Sequence, residues 1–217
     1  INGSMINIYD FLSFLGKKGI KTVVTLHAEF FHTGSCSHAF NCQKWINGCH
    51  NCETYKDFLP SFFFEKSKDA WIKMRDAFLT FSKNNLVVTS VSPWLMDRAK
   101  LSTILGEFEN VYIPNGIDTE VFKRYPSVRG LRPCILFVTP HFTPNDSLDQ
   151  KGSKYLIEIA RLCPNYDFKI VAAKSSFVLE QLPENVSFLG SISNQEKLCH
   201  IYNEADITLV LSKRETF

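Results

Sequence analysis

The sequence predicts an α/β protein built on parallel sheets and divided into two successive halves. Three observations lead there. Segments with apolar residues at helical spacing alternate with short β-branched runs, which is the rhythm of a parallel sheet covered by helices. A polar stretch at residues 123–133, carrying Pro126, Gly130 and Pro133, interrupts that rhythm, which then restarts. The 217 residues are 45% hydrophobic and include 19 Phe, enough apolar material for one large core or two small ones at roughly 100–200 residues per domain.

Taken in order, residues 5–17 place Ile6, Ile8, Tyr9, Phe11, Leu12, Phe14 and Leu15 at helical spacing, and Lys17, Lys18 and Gly19 supply the cations and glycine that favour a helix end. Residues 22–26 (TVVTL) read as a buried strand ending at His27. Residues 28–66 break the rhythm with turn formers and a cysteine cluster, so a long loop or a small inserted subdomain is expected. Helical spacing resumes over 67–83 through Trp71, Met74, Phe78 and Phe81, and residues 86–90 (LVVTS) form a second buried strand. Ser92-Pro93 has the form of an N-cap followed by Pro at the first helical position. A strand at 111–113 leads into Pro114-Asn115-Gly116-Ile117-Asp118, a turn in which Gly116 permits a positive φ. Beyond the polar stretch come a strand at 134–138, a polar loop at 139–150 and a helix opened by Lys151-Gly152 and running to Leu162. Strands at 168–172 and 186–189, a helix at 194–204 and a strand at 207–211 complete the pattern.

A net charge of +2 with 21% charged residues excludes a disordered polyelectrolyte and leaves no strong footprint for a polyanion. No run approaches the ~18 apolar residues of a membrane span. Residues 1–15 lack the basic start and small-residue cleavage site of a signal peptide. A cytoplasmic location is therefore expected. Of seven cysteines, Cys134, Cys163 and Cys199 are scattered and read as reduced core thiols. The other four, Cys36, Cys42, Cys49 and Cys52, fall within 17 residues. Four thiolates around a tetrahedral Zn²⁺ account for them, with Cys49-x-x-Cys52 at a common chelating spacing and His32, His38 and His50 as substitute ligands. Buried reduced thiols and two disulfides are the other readings. In each case the role is structural, because four protein ligands leave no open coordination position.

The strand–Pro114-Asn-Gly-Ile-Asp118–Phe122 sequence ahead of the polar stretch resembles the group 4 family of retaining glycosyltransferases. Several further segments follow the order of a subgroup of that family: Thr25-Leu26-His27, Thr33-Gly34-x-Cys36, Cys42-Gln-Lys-Trp45, Cys49-x-x-Cys52 and Ser92-Pro-Trp-Leu95, then Lys151-Gly152, Leu189-Gly190, Tyr202-x-x-Ala205-Asp206 and Ser212-x-x-Glu215-x-Phe217. The resemblance covers essentially the whole chain, and its specificity lies in the order of many weak motifs.

It implies two Rossmann-like domains of GT-B type. The first spans 1–124, on the acceptor side, with the Cys-rich insertion 28–66. The second spans 131–217 and binds the nucleotide sugar. Both are expected to be incomplete in this chain, which would lack the family's N-terminal Gly-rich loop, its last helices and the second Glu of its Glu–seven residues–Glu motif. Sheet edges left open in this way would invite association. The implied reaction transfers a sugar from a nucleoside-diphosphate sugar to a glycan or lipid-linked acceptor with retention and no catalytic metal. Peripheral membrane association of the whole enzyme is implied, and no nucleic-acid partner.

The roles carried over are residue by residue. His27 would line the cleft near the transferred sugar; without the resemblance it reads as a core or capping histidine. Lys151, with Gly152 at a helix start, would bind the donor diphosphate, where a cation and open backbone N–H groups suit an anion. The family pairs this Lys with an Arg in a Gly-Arg dipeptide after the preceding strand; here that place holds Thr139-Pro140. Glu215 matches the Glu expected beside the donor sugar. Asn115, Gly116 and Asp118 would shape the turn beneath the cleft. Trp45, Trp71 and Trp94 read as core anchors, with Trp45 also placed to meet an acceptor. The competing function is a zinc-stabilised, non-catalytic binding module or an inactive fragment. Against a nucleic-acid module, residues 28–58 hold only Lys44 and Lys56 as cations.

Overall fold

The computed structural model describes residues 6–53, 64–127, 130–144, 149–173 and 182–216. The expectations for residues 1–5, for 54–63 of the insertion including Lys56, for 128–129 of the polar stretch, for 145–148 of the loop and for Phe217 lie outside the described residues. The chain forms two compact units: Ile1–Asn115 with Thr216–Phe217, and Gly116–Glu215. Each is an α/β unit with a parallel sheet, an arrangement compatible with Rossmann-like folds.

The first unit contains α1 (Ile8–Lys17), β1 (Thr22–Leu26), α2 (Ser67–Phe78), β2 (Leu86–Ser90), α3 (Pro93–Leu101) and β3 (Glu109–Tyr112). Two 3-10 turns, Glu29–His32 and Lys44–Ile46, lie between β1 and α2. The sheet order is β1-β2-β3, all parallel, with Thr22 opposite Leu86 and Val87 opposite Glu109. The helix starts follow from the sequence. The Asn7 side chain accepts the N–H groups of Tyr9 and Asp10, and Ser92 Oγ accepts that of Leu95 at 3.2 Å with Pro93 in the first turn. The core gathers Leu12, Leu26, Met74, Phe78, Leu86 and Leu95.

Two expectations change here. On α1 only Ile8, Leu12 and Gly16 are buried, while Phe11 and Phe14 face outward and Ile6, before the helix, is exposed as well. In β1 the apolar run alternates rather than burying both faces: Val24 and Leu26 are buried, but Val23 is 65% exposed. The cause is position, since β1 is an outer strand of the described sheet.

The second unit contains β4 (Cys134–His141), α4 (Ser153–Leu162), β5 (Asp167–Ala173), β6 (Val186–Gly190), α5 (Gln195–Glu204) and β7 (Ile207–Leu209). Its parallel sheet has the order β6-β5-β4-β7. Side chains alternate across a strand, so β4 and β5 feed two cores. Ile135, Phe137, Phe168 and Ile170 pack with Leu156 and Ala160 of α4, and Leu136 and Val171 pack with Ile201 of α5.

The division between units falls at Asn115/Gly116, ahead of the polar stretch. That stretch groups with the second unit because Asn203 of α5 pins its first part. Asn203 Oδ1 accepts the N–H of Tyr125 at 2.8 Å, its Nδ2 donates to the carbonyls of Lys123 and Cys199 at 2.9 Å each, and its backbone carbonyl accepts the Ser127 hydroxyl at 2.6 Å. Tyr125 also stacks on His200, with ring centroids 5.0 Å apart.

Candidate functional site

In the second unit the strands run from β4 to β5 to β6 on one side. The chain then crosses back, and β7 pairs with the other edge of β4. Open α/β sheets take ligands beyond the carboxyl ends of their strands at such a reversal. Lys151 follows β4 and Glu215 follows β7, the two strands that flank the reversal. Their side chains meet there, with Lys151 Nζ 2.6 Å from Glu215 Oε1 and exposures of 39% and 35%.

The backbone around this pair is closely fitted. Gly152 has φ 80, and a Cβ at this position would meet the Leu211 carbonyl oxygen and lie 2.7 Å from Leu211 Cβ, so only glycine suits the crossing. Lys213 N–H donates to the Gln150 carbonyl at 2.8 Å, which ties the segment after β7 to the loop before α4.

One expectation is corrected. The start of α4 does not present Gly152 and Lys154 N–H groups to a ligand. The buried Asp149 carboxylate accepts both, Oδ1 from Gly152 and Oδ2 from Lys154, at 3.0 Å each. Asp149 therefore caps the helix, and the Lys151 ammonium beside it is held by Glu215. Thr139 and Pro140 belong to β4, and the Thr139 hydroxyl donates to the His141 carbonyl at 3.1 Å.

His27 lies in the first unit, exposed at the carboxyl end of β1. Its carbonyl accepts the hydroxyl of Thr216 at 2.9 Å, and the Thr216 carbonyl accepts the Ser92 hydroxyl. Asn115, Gly116 and Asp118 are exposed after β3. Gly116 is not among the positive-φ residues, and nothing lies within 4 Å of a Cβ built there, so its expected conformational role is absent. Asp118 makes the turn instead, with Oδ1 accepting the N–H groups of Glu120 at 2.9 Å and Val121 at 3.3 Å.

The cysteine-bearing segment is anchored by a buried ion pair. Glu29 is fully buried and accepts Arg98 Nε at 2.5 Å and Ala39 N–H at 2.7 Å. His32 Nε2 lies 3.6 Å from the same carboxylate. The Arg98 guanidinium sits over the rings of Trp45 and Trp94, 4.5 and 5.0 Å from their centroids. Burial pushes the Glu29 carboxyl up, but the neighbouring His32 ring, the hydrogen bond from the Ala39 amide and the Arg98 guanidinium outweigh it and hold Glu29 below the usual carboxylate range. Burial pulls His32 down against the opposing pull of Glu29. Trp45 is 1% exposed, so its ring is closed off from an acceptor and serves as an anchor. Its indole N–H donates to the Cys42 carbonyl at 2.7 Å, and Trp71 Nε1 donates to the Trp45 carbonyl at 3.1 Å.

Cys36, Cys42, Cys49 and Cys52 line one cavity of about 500 Å³, together with His38 and His50. Among the described residues no disulfide joins the cysteines. Burial, with the neighbouring Cys52, Cys49 and Cys42 adding, pushes the Cys36 thiol up to about 12. Burial likewise raises Cys49 to about 11, against a lowering hydrogen bond from Gly34 N–H at 3.1 Å. Gly34 is required here, since a Cβ would meet the Ser67 carbonyl and come within 2.9 Å of Cys49 Cβ. The donors suit a soft tetrahedral cation in number and chemistry. They surround the cavity rather than converge, and among the described residues no three His, Cys, Asp or Glu side chains are gathered closely enough to hold a metal ion.

Three contributors escape sequence reasoning: Glu29, Arg98 and Asp149. The one local signal was an acidic residue set directly before Phe30 and Phe31. No helix among the described residues is long and apolar enough to cross a membrane. No protein-family model matches the chain, and no curated protein matches it.

Proposed function

We propose that the chain belongs to a retaining glycosyltransferase of GT-B type, with the second unit binding a nucleoside-diphosphate sugar and the first facing the acceptor. The observation that carries this reading is the Lys151–Glu215 pair at the strand reversal, 2.6 Å apart on the two strands that flank it. A cation beside a carboxylate suits the two ends of such a donor. Lys151 offsets the charge that grows on the leaving diphosphate as the glycosidic bond breaks, and Glu215 accepts hydrogen bonds from sugar hydroxyls. His27, at the carboxyl end of β1, is the acceptor-side candidate for contact with the transferred sugar. The acceptor is a hydroxyl of a glycan or a lipid-linked glycan, and whole-enzyme contact with a membrane surface is part of the proposal.

The test is a calorimetric titration of the chain with UDP, GDP, ADP and their hexose conjugates. Binding of at least one is expected, weakened about 10- to 100-fold in Lys151→Ala, the loss that goes with one charge-assisted hydrogen bond. Absence of binding by all of them at millimolar concentration overturns the reading. The competing view, a zinc-stabilised binding module, makes no use of Lys151 and Glu215 and predicts that result.

A further inference from the structure

We propose that Cys36, Cys42, Cys49 and Cys52 together bind one structural Zn²⁺, which fastens the segment between β1 and α2. The inference does not depend on the sugar-transfer reading.

The first ground is a shared cavity. All four side chains line the same cavity, although they come from separate turns of residues 36–52. The second is backbone conformation. Among the described residues, the non-glycine positions with positive φ are Ser35 (152), Phe40 (48) and Asn51 (45), and all fall in this segment. Ser35 directly precedes Cys36, Asn51 directly precedes Cys52, Gly48 with φ 145 directly precedes Cys49, and Phe40 stands two residues before Cys42. Each non-glycine residue held this way costs on the order of 1 kcal/mol, so the fold maintains several unfavourable turns, and each of them lies within two residues of a cysteine.

The third ground is the shortage of other stabilising material. Residues 28–53 contain two short 3-10 turns, and their buried apolar side chains are Ala39 and Trp45. So small a subdomain lacks the apolar burial to hold its shape, a deficit that a metal or disulfides commonly offset. The Glu29–Arg98 pair secures one part of the segment, and Trp45 lies between it and the cysteine-lined cavity.

The fourth ground is the amide of Gly34 directed at Cys49 Sγ at 3.1 Å, in a fold where the Gly34 backbone passes too close to Cys49 for any larger residue. An N–H donor on sulfur stabilises a metal-bound thiolate. Four sulfur donors with Cys49-x-x-Cys52 spacing select a soft tetrahedral ion, which among abundant divalent cations is zinc. The proposal requires the cysteine side chains to turn inward from the cavity wall when the ion binds. Rotation by one staggered well about the Cα–Cβ bond carries a cysteine sulfur about 3 Å with the backbone unchanged.

The experiment is metal analysis of the full chain, purified under reducing conditions from zinc-supplemented culture, with thiol titration of the same sample. About one zinc per chain is expected, and it should protect four of the seven thiols from a thiol reagent until a chelator is added. Reconstitution with Co²⁺ should give thiolate-to-cobalt charge transfer and the intense visible bands of a tetrahedral site. Cys36→Ser and Cys49→Ser should each lower retained zinc at least tenfold, whereas Cys134→Ser and Cys163→Ser should keep it. If the cluster variants fail to fold, the wild-type chain still decides through its metal content and cobalt spectrum. Less than about a tenth of a zinc per chain in folded protein overturns the proposal, whether the thiols then titrate as seven or are lost to disulfides.

Discussion

The two units each carry a short ion pair of similar length, and they hold it in opposite surroundings. Glu29 and Arg98 meet at 2.5 Å with side-chain exposures of 0% and 16%, and aromatic rings and a backbone amide complete the surroundings. Lys151 and Glu215 meet at 2.6 Å, but both remain more than one-third exposed. Water competes for the second pair and not for the first. A buried pair resists separation because either partner left alone is an uncompensated charge. A hydrated pair exchanges partners at little cost, as a binding group must. Distance alone therefore does not distinguish a contact that resists separation from one that exchanges with water; burial does.

This contrast can be broken experimentally. The three Trp residues all lie in the first unit, so tryptophan fluorescence follows its unfolding alone. Glu29→Gln should have the largest effect, costing that unit about 3–5 kcal/mol in urea unfolding, with part recovered in the Glu29→Gln, Arg98→Met double variant. No loss on Glu29→Gln would mean that the pair is not a structural anchor. Gly152→Ala should cost the second unit about 2 kcal/mol, seen by circular dichroism, because it adds a Cβ at positive φ against Leu211.

Acid should act next. His32 is lowered from an ordinary 6.5, so below that value the unfolded chain takes up a proton that the folded chain refuses. Glu29 is lowered from 4.5, so the unfolded chain gains a further proton below that point. Both contributions are fully present near neutral pH and are lost as pH falls. The fluorescence-detected midpoint should drop first below about 6.5 and more steeply below about 4.5. His32→Phe should flatten the upper step. The smallest change is expected at the exposed pair: Glu215→Gln should alter stability by less than about 1 kcal/mol, and moderate salt should erase that change. A larger, salt-resistant loss there would place Lys151 and Glu215 with the structural contacts.

Features that depend on neighbours in the chain were legible in the sequence. Ser92-Pro93 opens a helix, Lys151-Gly152 stands before one, and the β-branched runs at 22–26 and 86–90 are strands. Features that depend on distant partners were not. Glu29 and Arg98 are 69 residues apart, and neither carries a local pattern announcing the other. Asp149 looks like one more polar loop residue until its carboxylate is seen on two amides of α4. The exposure of Val23 follows from strand order, which periodicity does not encode. Gly116 misleads for the opposite reason: Pro-Asn-Gly is a turn signal, but here the Asp118 side chain satisfies the turn and leaves the glycine idle.

Asn203 has a consequence for the ageing of the molecule. Its amide nitrogen donates to the carbonyls of Lys123 and Cys199, and its oxygen accepts from Tyr125. Spontaneous deamidation to aspartate would keep the acceptor and replace the donor with a second oxygen facing two carbonyls. Acceptor against acceptor repels, so one hydrolysed amide would loosen α5's hold on the chain at Lys123, while the Tyr125 and Ser127 contacts remain. Stored protein should become susceptible to proteases there in step with the appearance of aspartate at 203, while the buried contacts of the first unit keep their protection.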